Sequence, residues 1–405
     1  MSVLKDNNLK LIIAVLVLGV VGGSLVGPIL PAMLSPLETT EENVGLVLSV
    51  YTFFALVSTP LLGPLADRFG RKTVIVPCTI LFGFAGLMIA FSKVFWLVLL
   101  LRALQGIGVG GMMNTGVTLI GDMFTGQERA QAMGYRISFQ TITNAFLPFI
   151  SGGLATLAWF YPFYIYFLAI PLGFLVGFKL SFNPSSPEEE KLPRRTYISQ
   201  LWKVVMHHKS FWVFFSNFMA FVLLFSLVVY LPILIVKQMG LSTFHAGLAI
   251  SFGAGTAAIV STQSGRIMRN LSEYLTITLG FVFCSLALSL IPFAANYPVI
   301  LSIMIIWGSG FGLLMPTLNT CVTGLASSHL RAGVVSIFTT VLYLGQTVSP
   351  PFFGYILSRS DLETVFRVSG LIALLPIGFA LLEYLLWKFG IINDGTGATN
   401  KKCIY

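Results

Sequence analysis

Two groups of polar side chains lie within otherwise apolar segments, and their residue types fit ligand binding better than catalysis. Arg136, Gln140 and Asn144 recur every four residues, so a helix would place them within about 80° of one face. Arg102 and Gln105 lie in the apolar segment LLLRALQGIGVGG. A guanidinium removed from water needs an anionic partner or hydrogen-bond acceptors. We therefore predict that both groups contact a substrate, although a polar seam between helices or an arginine that reaches interfacial water would give the same pattern.

Other isolated polar residues in apolar segments are further candidates for a substrate cavity. They are Asn217, Tyr230, Asn319 and Gln346, with Asn114 and Tyr343 as additional members. Each could equally bond to a neighbouring helix. The sequence has no nucleophile constellation, no metal-ligand spacing and no phosphate-binding loop preceded by a strand. We therefore expect neither an enzyme nor a bound metal or cofactor.

The composition is that of an integral membrane protein. The chain has 405 residues, of which 56% are hydrophobic and 10% are charged, whereas soluble domains carry about 25% charged residues. Its mean hydropathy is +0.88. A net charge of +9 would suggest nucleic acid binding in a soluble protein. Here we attribute it to Lys and Arg concentrated on one side of a membrane, and we expect no nucleic acid partner.

About twelve apolar runs are long enough to cross a bilayer, whose hydrocarbon core of about 30 Å needs about 20 helical residues. The predicted spans are 11–34, 43–66, 73–92, 95–122, 130–158, 161–181, 211–236, 244–265, 274–294, 298–325, 332–357 and 364–388. A polar, proline-containing segment at 182–210 is predicted to be a cytoplasmic linker. The expected architecture is an all-α membrane protein with six-helix bundles at 1–181 and 211–389 and a cytoplasmic tail at 390–405.

The positive charges are distributed unevenly between the two sides of this arrangement. Of the 24 Lys and Arg residues, three fall within spans and three fall on one side, at Lys93, Lys237 and Arg359. The remaining eighteen fall on the side that carries both termini. Because Lys and Arg concentrate in cytoplasmic loops, we predict a multi-pass plasma (inner) membrane protein with both termini in the cytoplasm.

The two predicted bundles repeat one another. A shift of 202 residues aligns Gly106, Gly108 and Gly110 with Gly308, Gly310 and Gly312, and Arg129 with Arg331. The same shift aligns Pro148 with Pro350 and Asn144 with Gln346, without gaps. Two homologous six-helix halves are typical of a transporter whose site lies between them, although a channel could be duplicated in the same way.

The charged segment GPLADRFGRK, residues 63–72, falls in the predicted cytoplasmic turn between spans 2 and 3. It resembles the pattern G-x-x-x-D-[RK]-x-G-[RK]-[RK] of the major facilitator superfamily. The twelve spans and the repeat extend the resemblance over nearly the whole chain and imply that family's fold of two pseudo-symmetric bundles. Within the segment, Gly63 would allow close helix approach, Arg68 adds positive charge, and Gly70 would allow a turn that most residues resist.

The resemblance also implies that the segment is a conformational latch on the cytoplasmic side. Asp67 would face the positive end of span 11, which begins near Arg331. Arg71 would pair with an acid at the end of span 4, where this chain has Asp122. In the second copy Arg269 stands where Asp67 would be, so we expect a one-sided latch. The alternative is a solvated basic loop that only sets the topology.

Two shorter patterns bear on the subclass. The segment PILP in span 1, with Pro28 and Pro31, resembles the corresponding segment of exporters in the 12-helix drug:proton antiporter group. Pro148 and Gly152 match part of that group's pattern in span 5. The resemblance implies an alternating-access transporter that exports small, partly apolar compounds in exchange for protons. Since no acidic residue lies at mid-membrane in spans 1–11, the proton pathway has no clear candidate.

Two alternatives remain open. Proton-linked uptake of a small organic anion would suit Arg102 and Arg136, and a channel or a non-transporting receptor would stand outside the transporter class. The expected partners are a small-molecule substrate, the lipid bilayer and coupling protons, and the chain is expected to be a monomer.

Overall fold

A computed structural model of the chain describes residues 3–180, 194–325 and 328–388. The helices of the first half are α1 (Asn7–Ser24), α2 (Leu30–Met33), α3 (Leu46–Phe69), α4 (Arg71–Ile89), α5 (Phe95–Met123), α6 (Gly126–Leu157) and α7 (Ala169–Lys179). Those of the second half are α8 (Arg194–Val205), α9 (His208–Ile233), α10 (Thr243–Asn270), α11 (Glu273–Leu290), α12 (Tyr297–Gly324), α13 (Ser328–Leu357), α14 (Leu362–Ile372) and α15 (Leu375–Lys388).

The chain divides into two compact units. One consists of residues 1–190 and 231–251, and the other of residues 191–230 and 252–405. The predicted bundle boundaries, 1–181 and 211–389, stay a prediction. Residues 182–193 of the predicted linker and the predicted tail at 390–405 lie outside the described residues.

Ten helical segments in the described part of the chain are long and apolar enough to cross a membrane. The other two predicted spans correspond to α6 and α13, which fall outside that set. Their length is not the reason, because 32 and 30 residues at about 1.5 Å each exceed a hydrocarbon core of about 30 Å. α6 is the more polar of the two, since it has Glu128 in its first turn and carries Arg136, Gln140 and Asn144 further along. Twelve spans therefore remain a prediction, supported for ten.

Four predicted elements differ from the structure at a proline or a polar segment. The predicted sixth span begins as a 3₁₀ helix, Tyr161–Leu168, with Pro162 in its first turn. The predicted first span breaks after Ser24 into a 3₁₀ turn and the short α2, because Pro28 and Pro31 lack the N–H that a continuous helix needs. The predicted last span divides into α14 and α15 just before Pro376. The predicted linker contains a helix, α8. The sequence did not predict this helix because prolines and charged residues flank it.

The start of α14 is fixed by an N-cap. Asp361 accepts a hydrogen bond from the backbone N–H of Thr364 at 2.8 Å, which satisfies one of the unpaired donors of the first turn. Hydrogen bonding to Thr364 holds the pKa of the Asp361 carboxyl below its usual range.

The helix boundaries follow the internal repeat. The helices α4, α5 and α6 begin at Arg71, Phe95 and Gly126, and α11, α12 and α13 begin at Glu273, Tyr297 and Ser328. Each pair of starting residues is separated by 202 positions, which is the offset of the sequence repeat. One sequence offset therefore relates the three central helices of the first half to those of the second.

The repeated glycines make the same contacts in both halves. A Cβ atom on Gly106 of α5 would overlap the carbonyl oxygen of Tyr51, and one on Gly308 of α12 would overlap that of Gly253. These two carbonyl groups are again 202 residues apart. Such glycines allow helix backbones to approach closely where larger side chains would separate them. The contacts hold α5 against α3 and α12 against α10.

Candidate functional site

The Arg102 side chain is fully buried in the first unit and is held from two directions. Its Nη1 donates to the backbone carbonyl of Gly22 on α1 at 3.1 Å and to Oε1 of Gln105 at 2.7 Å. Gln105 is buried too, and its Nε2 donates to the carbonyl of Phe82 on α4 at 3.4 Å. The two residues predicted as a pair therefore form one polar cluster that joins α1, α4 and α5.

Aromatic rings surround this cluster. The guanidinium carbon of Arg102 lies 5.5 Å from the ring centroids of both Tyr51 and Phe163, which is within the range of cation–π attraction. Tyr166 is also buried, with its hydroxyl near Arg102 and Gln105. The rings favour the cation, but none of them supplies a negative charge.

The same cluster anchors the last two turns of α1, just before its break. Tyr51 donates to the carbonyl of Gly19 at 3.3 Å and Tyr166 to the carbonyl of Val21 at 3.4 Å. With the Arg102 bond to Gly22, side-chain donors from α3, from α5 and from the 3₁₀ segment Tyr161–Leu168 reach one short stretch of α1. Small residues make this possible, because a Cβ on Gly22 would overlap the Tyr51 hydroxyl.

The predicted stripe on α6 is divided between different environments. Arg136 is half-buried, and its Nε has no hydrogen-bond partner in the described ranges. Gln140 donates to the carbonyl of Leu16 on α1 at 3.4 Å, and Asn144 is exposed on the surface of its unit. The structure therefore does not gather the three side chains around one point, and their substrate role stays a prediction.

The four candidates of the second half are similarly divided. Asn217 and Tyr230 on α9 are buried and donate to carbonyls of α13, at Phe338 (2.8 Å) and Pro350 (2.9 Å). Asn319 donates to Met315 within its own helix at 2.8 Å, and Gln346 is half-buried. The first two have the contacts of helix-packing residues. Their substrate role, like that of Asn319 and Gln346, stays a prediction.

In the charged segment between α3 and α4, Arg71 interacts with two carboxylates. Its Nε lies 3.2 Å from Oδ2 of Asp122 at the end of α5, and its Nη1 pairs with Asp67 one turn earlier. The Arg71–Asp122 pair is the one that the family resemblance implied. Gly70 between the helices has φ +98°, a backbone conformation that glycine adopts readily and most residues resist.

The remaining latch candidates lie on the surface or in a tight contact. Arg68 and Arg331 are exposed, and Arg68 stacks on Phe69 with 5.2 Å between the guanidinium carbon and the ring centroid. A Cβ on Gly63 would lie 2.8 Å from Nδ2 of Asn114 on α5, which agrees with the expected close helix approach. The function of these residues as a latch is a prediction that the structure alone does not test.

The second copy of the charged segment has its charges exchanged. Arg269 occupies the position of Asp67, and Glu273 occupies that of Arg71. Glu273 accepts a hydrogen bond from the Cys321 thiol on α12 at 3.1 Å. Of these two exchanged charges, only Arg269 entered the prediction of a one-sided latch.

A contact that sequence reasoning missed joins α6 to the first turns of α10, and both parts belong to the first unit. Thr243 donates to the carbonyl of Gly152 at 2.9 Å, and the backbone N–H of Phe149 donates to the Ser251 hydroxyl at 3.0 Å. A Cβ on Gly247 would overlap the carbonyl oxygen of Pro148. The available signal was the repeat itself, which pairs Gly247 and Ser251 with a glycine and a serine in the first half.

Comparison with protein families and curated sequences gives a consistent match. Residues 12–350 match the family model described as the Major Facilitator Superfamily. The chain is 24% identical over 354 residues to the bacillibactin exporter of Bacillus subtilis (strain 168), and the alignment covers 84% of this chain and 87% of that protein. It is 26% identical over 343 residues to the quinolone resistance protein NorA of Staphylococcus aureus (strain COL), which covers 82% and 85%.

Solved structures show the same fold. A bacterial homologue of the human lysosomal transporter Spinster, inward-facing and unoccupied, superposes with a TM-score of 0.80 at 14% identity, covering 96% of this chain and 98% of that one. The nucleoside transporter NupG superposes with a TM-score of 0.78 at 14% identity, and the match covers 94% of this chain and 100% of that one.

Proposed function

This chain belongs to the Major Facilitator Superfamily, and from that premise we propose that it is a secondary transporter exporting small, partly apolar compounds by alternating access, with protons as the coupling ion. The observation that carries export is the pair of relatives named as an exporter and as a resistance protein, because each match spans more than four fifths of the chain. A similarity of that extent includes both repeated halves rather than one shared segment.

The interior chemistry of the first unit is compatible with this function. Arg102 and Gln105 form a buried polar cluster beside Tyr51 and Phe163, so polar groups and aromatic surface lie together. Binding sites for small molecules commonly combine apolar walls with a few polar groups. We further propose a monomer in the plasma membrane, with both termini in the cytoplasm.

A second candidate is proton-linked uptake of a small organic anion. The observation in its favour is the sign of the buried charge, since Arg102 is fully buried and Arg136 is half-buried. Both are cations, which would attract an anionic substrate in either direction of transport. The direction of the driving gradient distinguishes the two candidates.

The test uses the full-length protein in proteoliposomes with a fluorescent quinolone as the probe. An acidic lumen should drive accumulation of the probe as protons leave, the flux should saturate with probe concentration, and a protonophore should abolish it. Protein-free vesicles control for passive partitioning of the probe. Accumulation driven by an acidic exterior would instead support uptake, and the absence of saturable flux and counterflow would contradict a carrier for this probe.

A further inference from the structure

The Arg102 guanidinium uses only part of its hydrogen-bonding capacity. A guanidinium has five N–H donors. In this structure Nη1 makes both observed bonds, to Gly22 and Gln105. Nε and Nη2 are buried, and neither makes a hydrogen bond of good geometry among the described residues, although the Tyr166 hydroxyl lies near the side chain. Three N–H donors therefore remain to be satisfied, and two of them, one on Nε and one on Nη2, lie on the same edge of the group.

The charge of Arg102 is also uncompensated within the described part of the chain. The ion pairs found there involve Arg71, with Asp67 and Asp122, and Arg367, with Glu363. None of them reaches Arg102. Burying a charge without a counter-charge is strongly unfavourable, and the two nearby rings offset only part of that cost.

The position of the unsatisfied donors selects a particular partner. Nε and Nη2 lie on the same edge of the planar guanidinium, which is an edge that a carboxylate can bind through two parallel N–H···O bonds. A carboxylate would satisfy both atoms and also neutralise the charge, whereas a water molecule would supply no charge. We infer that the Nε–Nη2 edge of Arg102 is a binding site for a carboxylate group.

The site is closed in this structure, because Arg102 has no exposed surface. Opening it requires movement of a neighbouring element, and the stretch of α1 that Arg102 contacts lies immediately before the break at Ser24. The inference rests on the proposed transport function for this opening, since alternating access exposes sites that one conformation seals. It deepens that function by assigning carboxylate-bearing compounds to the site.

The experiment compares an aromatic acid with its neutral isostere. Binding of 2-naphthoate and of 2-naphthamide to the full-length protein in nanodiscs is measured by the rise in Tm with ligand concentration. The wild type should bind the acid at least about tenfold more tightly than the amide. Arg102→Lys should lose that preference, because lysine keeps the charge but not the bidentate edge. Arg102→Gln should lose it as well.

The matched control is Arg359→Gln, which removes an exposed arginine between α13 and α14 and should leave both affinities unchanged. If Arg102→Gln does not fold, Arg102→Lys and the acid-to-amide ratio of the wild type still decide the result. Equal binding of acid and amide to the wild type, or acid binding to Arg102→Lys within about twofold of wild type, would overturn the inference.

A competition measurement identifies the source of the carboxylate. If acetate competes with 2-naphthoate at millimolar concentration, the site takes a free small anion, and if only the larger acid binds, the site takes the carboxylate of a substrate. Vesicle transport of the quinolone separates this inference from the proposed function. Arg102-dependent binding of the acid without any transport would support the carboxylate site and contradict the proposed exporter. Transport without a preference for the acid would support the exporter and contradict the carboxylate site.

Discussion

At the residue scale, Arg102 and Arg71 lie in two contrasting environments. Arg102 is sealed among aromatic rings and bonds to a backbone carbonyl and an amide. Arg71, at the junction of α3 and α4, is paired with two carboxylates. The environment of Arg102 fits a ligand-binding role, and that of Arg71 fits a structural role in joining helix ends.

The sequence predicted the second arrangement better than the first. The pairing of Arg71 with Asp122 could be anticipated because Arg71 lies in a predicted turn, Asp122 ends a predicted span on the same side, and both match a known pattern. The Arg102 cluster was predicted only as a pair of polar residues. Its use of the Gly22 carbonyl depends on how closely α1 and α5 approach, and that distance is set by tertiary packing.

The two carboxylates of Arg71 should differ in their contribution to stability. The Asp122 side chain is 22% exposed and that of Asp67 is 64% exposed, so water screens the Asp67 pair more strongly. We expect Asp122→Asn to lower the free energy of unfolding by about 1 kcal/mol and Asp67→Asn by less than about 0.5 kcal/mol. Thermal unfolding in detergent measures both. In an Arg71→Gln background the difference between them should shrink, and equal losses in the two single variants would contradict the assignment.

At the scale of elements, the matched glycines of the repeat allow close helix packing in both halves. The sequence predicted the positions of most long helices, because apolar runs and polar turns mark them directly. It did not predict the break in the first span, the helix α8 or the contact between α6 and α10. The first depends on two prolines within an apolar run, the second on a polar segment that still folds, and the third on residues about a hundred positions apart.

The glycines of the repeat should be intolerant of substitution in both halves. In Gly308→Ala the new Cβ would overlap the carbonyl oxygen of Gly253, and two helix backbones would have to separate. The expected cost is about 1–3 kcal/mol, as in other overpacked cores, seen as a lower Tm. Gly106→Ala should behave alike at its own contact with Tyr51.

A matched control lies on a neighbouring helix. Gly255 of α10 has no atom within 4 Å of the position that a Cβ would occupy, so Gly255→Ala should leave Tm unchanged or raise it, because alanine favours helix over glycine. The packing argument fails if Gly255→Ala is as destabilising as Gly308→Ala.

At the scale of the whole molecule, charge and repetition carry different information. The repeat relates the two halves and identifies the family's architecture, but it carries no direction across the membrane. The Lys and Arg distribution supplies that direction, since eighteen of the 24 residues fall on the side of the termini in the predicted topology. Neither feature names a substrate, because a substrate is recognised by a few side chains whose relative positions depend on packing and conformation.

The orientation can be tested with single cysteines on opposite sides of the predicted membrane. Thr196 lies exposed on α8 and Ser360 lies exposed between α13 and α14, and each is replaced by cysteine in a chain whose four native cysteines are replaced by alanine. A membrane-impermeant maleimide should label Ser360→Cys in intact cells and Thr196→Cys only after permeabilisation, because the positively charged side remains in the cytoplasm. Quinolone transport by each variant controls for folding. Labelling of Thr196→Cys in intact cells would invert the topology, and with it the direction of export proposed for this chain.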